Sequence, residues 1–198
     1  MGEQMEAKGH PKRPLDREGL PLDSLVDAFL ADTKEEVPSL EKYLRQMDQR
    51  GRVELGGVLG RFDFHRRGQL DAGQRLMARR VLGLLQRPNA DMLVVLNRVL
   101  DYLDLNNNAL IEEDEANLCV EILEAFAHAD SDNDTVSEYE LELLYAAIRH
   151  IDRDDNHALD PYERHQLHEA MKDPKGYLEQ QRARFPRVAE LLRDRSRS

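Results

Sequence analysis

Apolar residues recur along most of this chain every three or four positions, which is the spacing of one face of an α-helix. The first such run comprises Leu22, Leu25, Val26, Phe29 and Leu30. A second helix is predicted to start at Pro38 and Ser39, and six more are predicted over 53–62, 71–86, 91–103, 113–128, 138–150 and 161–171. Alternation of apolar and polar residues, the signal of a half-buried strand, is absent, so the sequence predicts an all-α fold.

The two ends of the chain differ in composition from this helical region. Residues 1–21 carry three prolines among scattered Lys and Arg, which predicts a mobile N-terminal arm. Residues 22–172 form the predicted helical domain, and 173–198 form a basic C-terminal tail or helix. With 40% hydrophobic residues, a chain of 198 residues can bury the core of one domain.

The polar segments between helices contain oxygen donors at regular spacing. In 152–163, Asp152, Asp154 and Asn156 occupy positions 1, 3 and 5, the Ala158 carbonyl is available at position 7, and Glu163 stands at position 12. Hard cations such as Ca²⁺ take six to eight oxygen ligands of these kinds. The segment therefore predicts a Ca²⁺ site.

The same spacing occurs a second time, in 104–115. Its donors are Asp104, Asn106, Asn108, the Leu110 carbonyl and Glu115. Both segments also have an apolar residue at position 8, Ile111 in one and Leu159 in the other. Turns rich in Asp and Asn that cap helices are the alternative explanation. Capping, however, requires neither the apolar position 8 nor the final Glu.

On these two segments the chain resembles the EF-hand superfamily of calcium-binding proteins. The resemblance implies an array of helix-loop-helix units, with degenerate loops over 45–86 and metal-binding loops over 91–172. The short spacing between the later loops leaves room for only one helix between them, which departs from the family arrangement of two helices for each loop. Both loops lack the usual Gly at position 6, where φ is positive, and have Ala109 and His157 instead. We therefore expect weaker binding than in a loop with Gly, and tighter binding in 152–163, which has more carboxylates.

A third segment has a shortened spacing. Its candidate ligands are Asp130, Asp132, Asp134 and Glu140, but Glu140 arrives one residue early for a twelve-residue loop. One interpretation is an eleven-residue loop whose position 6 is missing. The other is a capping box, since Ser137 and Glu140 have the Ser-x-x-Glu spacing that starts a helix.

A fourth segment, 63–74, keeps Asp63 and Gly68 but has Arg67 at position 5 and Gln74 at position 12. Arg has no acceptor atom, so we expect a structural role for this loop. An even weaker, shortened loop lies near 47–54. Because one helix separates 104–115 from the third loop and another separates that from 152–163, we expect the two complete loops to be neighbours that pair through Ile111 and Leu159.

Charge divides the chain and limits its partners. Residues 101–163 hold 19 Asp and Glu against two Arg, while 61–87 and 182–197 are rich in Arg. The basic segments are explained either by docking to an acidic partner, to nucleic acid or to the chain's own acidic segment, or by solvated helix faces. No nucleic-acid motif or aromatic platform is present, and no apolar run reaches membrane-spanning length. The sequence leaves the oligomeric state undetermined.

The N-terminus lacks the apolar region of a signal peptide, and the single Cys119 lies in an apolar helical run. We therefore expect a cytoplasmic protein with a buried thiol. No nucleophile–base pair or phosphate loop indicates an enzyme. The expected function is Ca²⁺ binding, either as a sensor that engages a protein target or, alternatively, as a buffer or a protein whose Ca²⁺ is purely structural.

Overall fold

The computed structural model of the chain describes residues 22–32, 38–65, 67–127, 134–174 and 176–177. Within them lie eight α-helices and no strand, so the all-α prediction is confirmed. The helices are α1 (Leu22–Asp32), α2 (Pro38–Arg45), α3 (Gln49–Arg61), α4 (Ala72–Gly83), α5 (Ala90–Leu103), α6 (Glu113–Ala127), α7 (Glu138–Ile151) and α8 (Pro161–Lys172). The predicted N-terminal arm and most of the basic C-terminal segment lie outside the described residues.

Side-chain caps define where several of these helices begin. Asp71, Ser137 and Asp160 each accept a hydrogen bond from the backbone N–H three residues later, and the side chain of that later residue accepts one in return. These reciprocal pairs satisfy backbone donors that a helix start otherwise leaves unpaired. Residues of the loops at 63–74, 134–140 and 152–163 therefore cap the helices that follow them.

The helices share one continuous apolar core. Helix α3 packs on α1 and α5, α5 packs on α7, α4 packs on α6, and α8 packs on α6 and α7. The largest fully buried side chains include Phe29, Phe62, Tyr102 and Phe126, and most of the others are aliphatic. The helices around the degenerate N-terminal loops and those around the complete loops therefore belong to one packed unit.

The described loops pair differently from the expectation. The one β-bridge among the described residues joins Leu85, just after α4, to Val136. The Val136 N–H donates to the Leu84 carbonyl at 2.6 Å, and the Gln86 N–H donates to the Val136 carbonyl at 2.8 Å. The expected pairing of Ile111 with Leu159 is wrong, because the Ile111 N–H donates to the Arg61 carbonyl at the end of α3 instead, at 2.8 Å.

None of the described helices combines the length and the apolar composition needed to cross a bilayer.

Cys119 is fully buried on α6, as the sequence predicts. Burial alone raises the pKa of its thiol to about 12, since the low-dielectric surroundings disfavour the thiolate. Only the thiolate reacts with alkylating reagents. We therefore expect the native protein to resist iodoacetamide at pH 8 and to react within minutes in denaturant, as followed by mass spectrometry. Rapid modification of the native protein would contradict the burial of this helix face.

Candidate metal centres

The loop 152–163 connects α7 to α8 and turns two carboxylates inward. Both oxygens of Glu163 accept backbone N–H groups of the loop, from Arg153 at 2.9 Å and from Asp160 at 3.0 Å. The Asp152 carboxylate accepts the N–H groups of Asn156 and His157, each at 3.2 Å. Asp152 and Glu163 are buried although both are carboxylates. The loop backbone therefore holds its first and last residues in fixed positions.

Three carboxylates converge in this loop. Oxygen atoms of Asp152, Asp154 and Glu163 all lie within 4.8 Å of one another, and Asp154 is the exposed member of the group. A second grouping joins Asp152 with Asp155 and a ring nitrogen of His157 over the same range. Like charges this close repel one another, and a divalent cation among them would remove the repulsion. The oxygen donors fit a hard cation.

The loop 104–115, between α5 and α6, repeats this arrangement position by position. Glu115 accepts the N–H groups of Leu105 at 2.7 Å and Glu112 at 3.0 Å. Asp104 accepts those of Asn108 at 3.0 Å and Ala109 at 2.6 Å. In both loops the first carboxylate binds the amides of positions 5 and 6, and the last binds those of positions 2 and 9.

The middle donors of the 104–115 loop are neutral amides that bond to neighbouring groups. The side-chain amide of Asn108 donates to Glu112 at 3.2 Å, while its oxygen accepts the Leu110 N–H at 2.7 Å. The side chain of Asn106 reaches the same Glu112 at 3.4 Å. In this loop no group of three His, Cys, Asp or Glu side chains comes as close together as in 152–163. The loop 104–115 therefore concentrates less negative charge.

Burial disfavours charge on the two inward carboxylates of 104–115. Desolvation raises the pKa of Asp104 and of Glu115 above their usual values. Backbone hydrogen bonds partly oppose this rise in both residues, and the Arg61 guanidinium also opposes it at Asp104. A raised carboxyl pKa means that the charged form of the carboxyl group is less favourable in free energy in the folded chain. A bound cation would offset this penalty.

Position 6 has the backbone conformation that the sequence predicts. The φ angle is 64° at Ala109 and 59° at His157, and the degenerate loop has 69° at Gly68. The sequence reasoning missed a second such position, because Asn107 and Asp155 at position 4 also have positive φ, of 56° and 52°. Asn and Asp adopt positive φ more readily than most residues, so their presence at position 4 is the sequence feature that could have predicted this conformation.

Replacing Ala109 by Gly should relieve strain on the order of 1 kcal/mol in the folded loop, partly offset by the extra freedom of Gly in the unfolded chain. We expect a free energy of unfolding equal to or up to about 1 kcal/mol above the parent's, measured by urea unfolding without divalent cations. The His157→Gly variant is the comparison, and it should not gain, since it also removes a ring that bonds to Tyr102. A less stable Ala109→Gly variant would contradict backbone strain at this position.

The degenerate loop 63–74 has the same turn as the complete loops but not the same charge. Asp63 is buried and accepts the N–H groups of Arg67 at 3.1 Å and Gly68 at 2.7 Å. At position 12 Gln74 accepts the Asp71 N–H at 2.8 Å, as Glu does in the complete loops. The turn therefore forms with a neutral last residue, and a structural role for this loop stays a prediction.

The third segment is described only in part. Asp130 and Asp132 lie outside the described residues, and Asp134 is exposed. Glu140 is completely buried and accepts both the N–H and the hydroxyl of Ser137, each at 2.8 Å. The predicted capping box is therefore confirmed, and it engages the carboxylate proposed as the last metal ligand. Metal binding at this segment remains a prediction.

Two residues next to the loops make contacts that were not predicted from the sequence. The buried Arg61 on α3 bonds through its side chain to Asp101, and to Asn97 at 3.3 Å, close to the start of the 104–115 loop. Tyr102 on α5 lies with its hydroxyl 3.1 Å from Nδ1 of His157 in the other loop. Both contacts join residues far apart in sequence, and no local pattern signals them.

The chain was compared with protein-family models, with curated proteins and with solved structures, and none of them matches it. The loops themselves are therefore the basis for a functional assignment.

Proposed function

We propose that this protein binds Ca²⁺ in the manner of EF-hand proteins, with one ion in the loop 104–115 and one in 152–163. The ligands would be Asp104, Asn106, Asn108, the Leu110 carbonyl and Glu115 in one loop, and Asp152, Asp154, Asn156, the Ala158 carbonyl and Glu163 in the other. A single observation carries the proposal. Both loops bind their first and last carboxylates with backbone amides at the same four positions.

Calcium is favoured over other divalent cations by the donor set. All the proposed ligands are oxygens, and a Glu at position 12 can offer both of its oxygens to one ion. Mg²⁺ requires a smaller, near-octahedral shell and keeps several of its waters. Zinc prefers Cys and His, and Cys119 is buried on α6 away from solvent. We therefore expect Ca²⁺ to displace Mg²⁺ from both loops.

Isothermal calorimetry should detect two Ca²⁺ per chain. Glu163→Gln should abolish or weaken the tighter site by at least about tenfold, because a hydrogen-bonded charged ligand becomes a neutral amide that cannot accept both amides equally. Glu115→Gln should do the same to the other site. Glu121→Gln, at an exposed position of α6, is the matched control and should leave both sites intact. Absence of heat at millimolar Ca²⁺ in the parent protein would contradict the proposal.

For the role of the ion we propose a sensor, in which Ca²⁺ changes the packing of the helices around the loops and exposes apolar surface to a protein target. Four large apolar side chains are exposed among the described residues, namely Val53, Leu76, Leu105 and Tyr162. Leu105 and Tyr162 belong to the two candidate loops. Movement of α6 and α8, the helices that follow these loops, would enlarge the exposed apolar surface there. The basic segments of the chain are suited to an acidic partner.

A structural ion is the second candidate, and the charge of the acidic segment favours it. Residues 101–163 carry 19 acidic and two basic side chains, and their mutual repulsion destabilises the fold until cations bind. A dye that fluoresces on apolar surface distinguishes the two roles when it is combined with circular dichroism. Increased dye binding on addition of Ca²⁺ would support the sensor. Greater helicity without dye binding would support the structural ion.

A further inference from the structure

Tyr102 is a side chain from the approach to one candidate loop that touches the interior of the other. It occupies the last turn of α5, two residues before Asp104, and only 2% of its surface is exposed. Its hydroxyl lies 3.1 Å from Nδ1 of His157, which is position 6 of the loop 152–163. The chain between these two residues includes the whole of α6 and α7, so this contact is made by the tertiary fold.

Aromatic neighbours fix the orientation of the Tyr102 ring. The ring of Tyr145 on α7 lies 6.5 Å away, centroid to centroid, at an angle of 59°. The ring of His157 lies 5.7 Å away at 60°. Both are within the range of tilted aromatic pairs that contribute beyond simple burial. Tyr102 is therefore held against both the helix that leads into the loop 152–163 and the loop itself.

The residue that Tyr102 contacts has the strained position-6 conformation, with a φ angle of 59° at His157. The backbone N–H of His157 donates to the Asp152 carboxylate at 3.2 Å. Tyr102 is therefore connected to the position-1 ligand of the loop 152–163 through His157.

Among the described residues, no backbone hydrogen bond joins the loops 104–115 and 152–163. Paired loops of this kind would be linked through their position-8 residues, but the Ile111 N–H is bonded to Arg61 instead. Core packing alone would be met by Phe, whose ring would make the same aromatic contacts. The hydroxyl is the part of Tyr102 that reaches His157, the residue at position 6 of the turn.

We propose that Tyr102 is a positioning residue that couples the two calcium loops. Its hydroxyl holds His157, and through the His157 backbone N–H the Asp152 carboxylate, in register with the end of α5, so that an ion bound in one loop favours binding in the other. This inference rests on the proposed function, since it concerns the same two sites. The expected coupling is a several-fold increase in affinity of the loop 104–115 when the loop 152–163 is loaded, within the usual range of about 5- to 150-fold.

The test is a thermodynamic cycle on the full chain. Ca²⁺ affinity of the loop 104–115 is measured in the parent and in Glu163→Gln, and their ratio is the coupling. The same ratio is then measured in Tyr102→Phe with and without Glu163→Gln. We expect a ratio of about 5 or more in the parent and a ratio near one in Tyr102→Phe. Equal ratios in the two backgrounds, or a ratio near one in the parent, would overturn the inference.

Backbone NMR shifts provide a second, direct measurement of the coupling between the loops. In Glu115→Gln, where only the loop 152–163 is expected to fill, Ca²⁺ should shift the backbone NMR signals of Leu103 and Asp104. Tyr102→Phe in the same background should abolish those shifts while the ion still binds. Unchanged shifts would contradict the coupling, since a hydroxyl with only a packing role would not transmit the signal.

Two further variants separate coupling from folding. His157→Ala gives the loop 152–163 the alanine that 104–115 already carries at Ala109, and it should lower the coupling as Tyr102→Phe does. Tyr43→Phe removes a hydroxyl on α2 and should leave the coupling intact. Melting curves confirm that each variant folds. Loss of Ca²⁺ binding in the parent protein would refute the proposed function itself, whereas independent binding of two ions would refute only the role of Tyr102.

Discussion

Saturating Ca²⁺ is expected to raise the free energy of unfolding by about 5 kcal/mol. A ligand that binds only the folded state contributes about 2.7 kcal/mol per site at a hundredfold excess over its dissociation constant, and we propose two sites. The expected stabilisation comes from the carboxylates of the two loops. In the loop 152–163 three carboxylates lie within 4.8 Å of one another, and in the loop 104–115 two carboxylates are buried. A divalent cation would offset the free-energy cost of both arrangements.

Urea unfolding followed by circular dichroism, in Ca²⁺ and in a chelator, measures this difference. The double variant Glu115→Gln/Glu163→Gln is the control and should unfold at the same urea concentration in both buffers. Each single variant should retain at most about half of the effect. A parent protein whose unfolding midpoint does not respond to Ca²⁺ would rule out both loops as binding sites.

Replacing Arg61 by Met should cost about 3 kcal/mol of folding stability. The side chain of Arg61 is only 4% exposed and forms an ion pair with Asp101. Removing one partner of a buried ion pair costs about 3–5 kcal/mol, because the other charge loses its partner. We expect the low end of that range, since the Asp101 side chain is 35% exposed and water can partly solvate it.

Arg52 offers a matched control on the same helix. It pairs with Asp27 across α1 and α3 at 2.6 Å, but the Asp27 side chain is 69% exposed. Exposed pairs contribute about 0–1 kcal/mol, so Arg52→Met should change stability little. Equal losses from the two variants in denaturant unfolding would show that burial of the Arg61 pair does not determine its contribution.

Local features of the fold could be predicted from the sequence because they depend on neighbouring residues. The spacing of apolar residues identified the helices, and the Ser137–Glu140 spacing identified a capping box that the structure contains. The positive φ at Ala109 and His157 followed from loop position alone. Each of these depends on interactions within about a dozen residues, which a sequence pattern records.

Helix bounds were less predictable where glycines obscure the pattern. Helix α3 begins at Gln49, not near 53, because Asp48 caps it by accepting the Gly51 N–H at 2.8 Å. Glycines within α3 lower its helix propensity, so the apolar pattern alone does not place the start of this helix.

Contacts between distant segments could not be predicted from the sequence. The bond from Ile111 to Arg61 replaced the expected pairing with Leu159, and nothing in the loop spacing distinguishes the two outcomes. The contact of Tyr102 with His157 depends on how α5 and α7 pack, which is set by the whole core. The candidate ligands were therefore available from the sequence, but the connections between the candidate sites were not.

The bridge between Leu85 and Val136 limits how this chain could be cut or recombined. It closes a segment of about 50 residues that contains the entire loop 104–115. A fragment beginning at α5 would leave the buried Val136 amide and carbonyl without their partners, at a cost comparable to lost buried hydrogen bonds. The part of the chain with complete loops is therefore not a freely exchangeable module, and we expect a gene fusion or duplication that kept it alone to yield a less stable product.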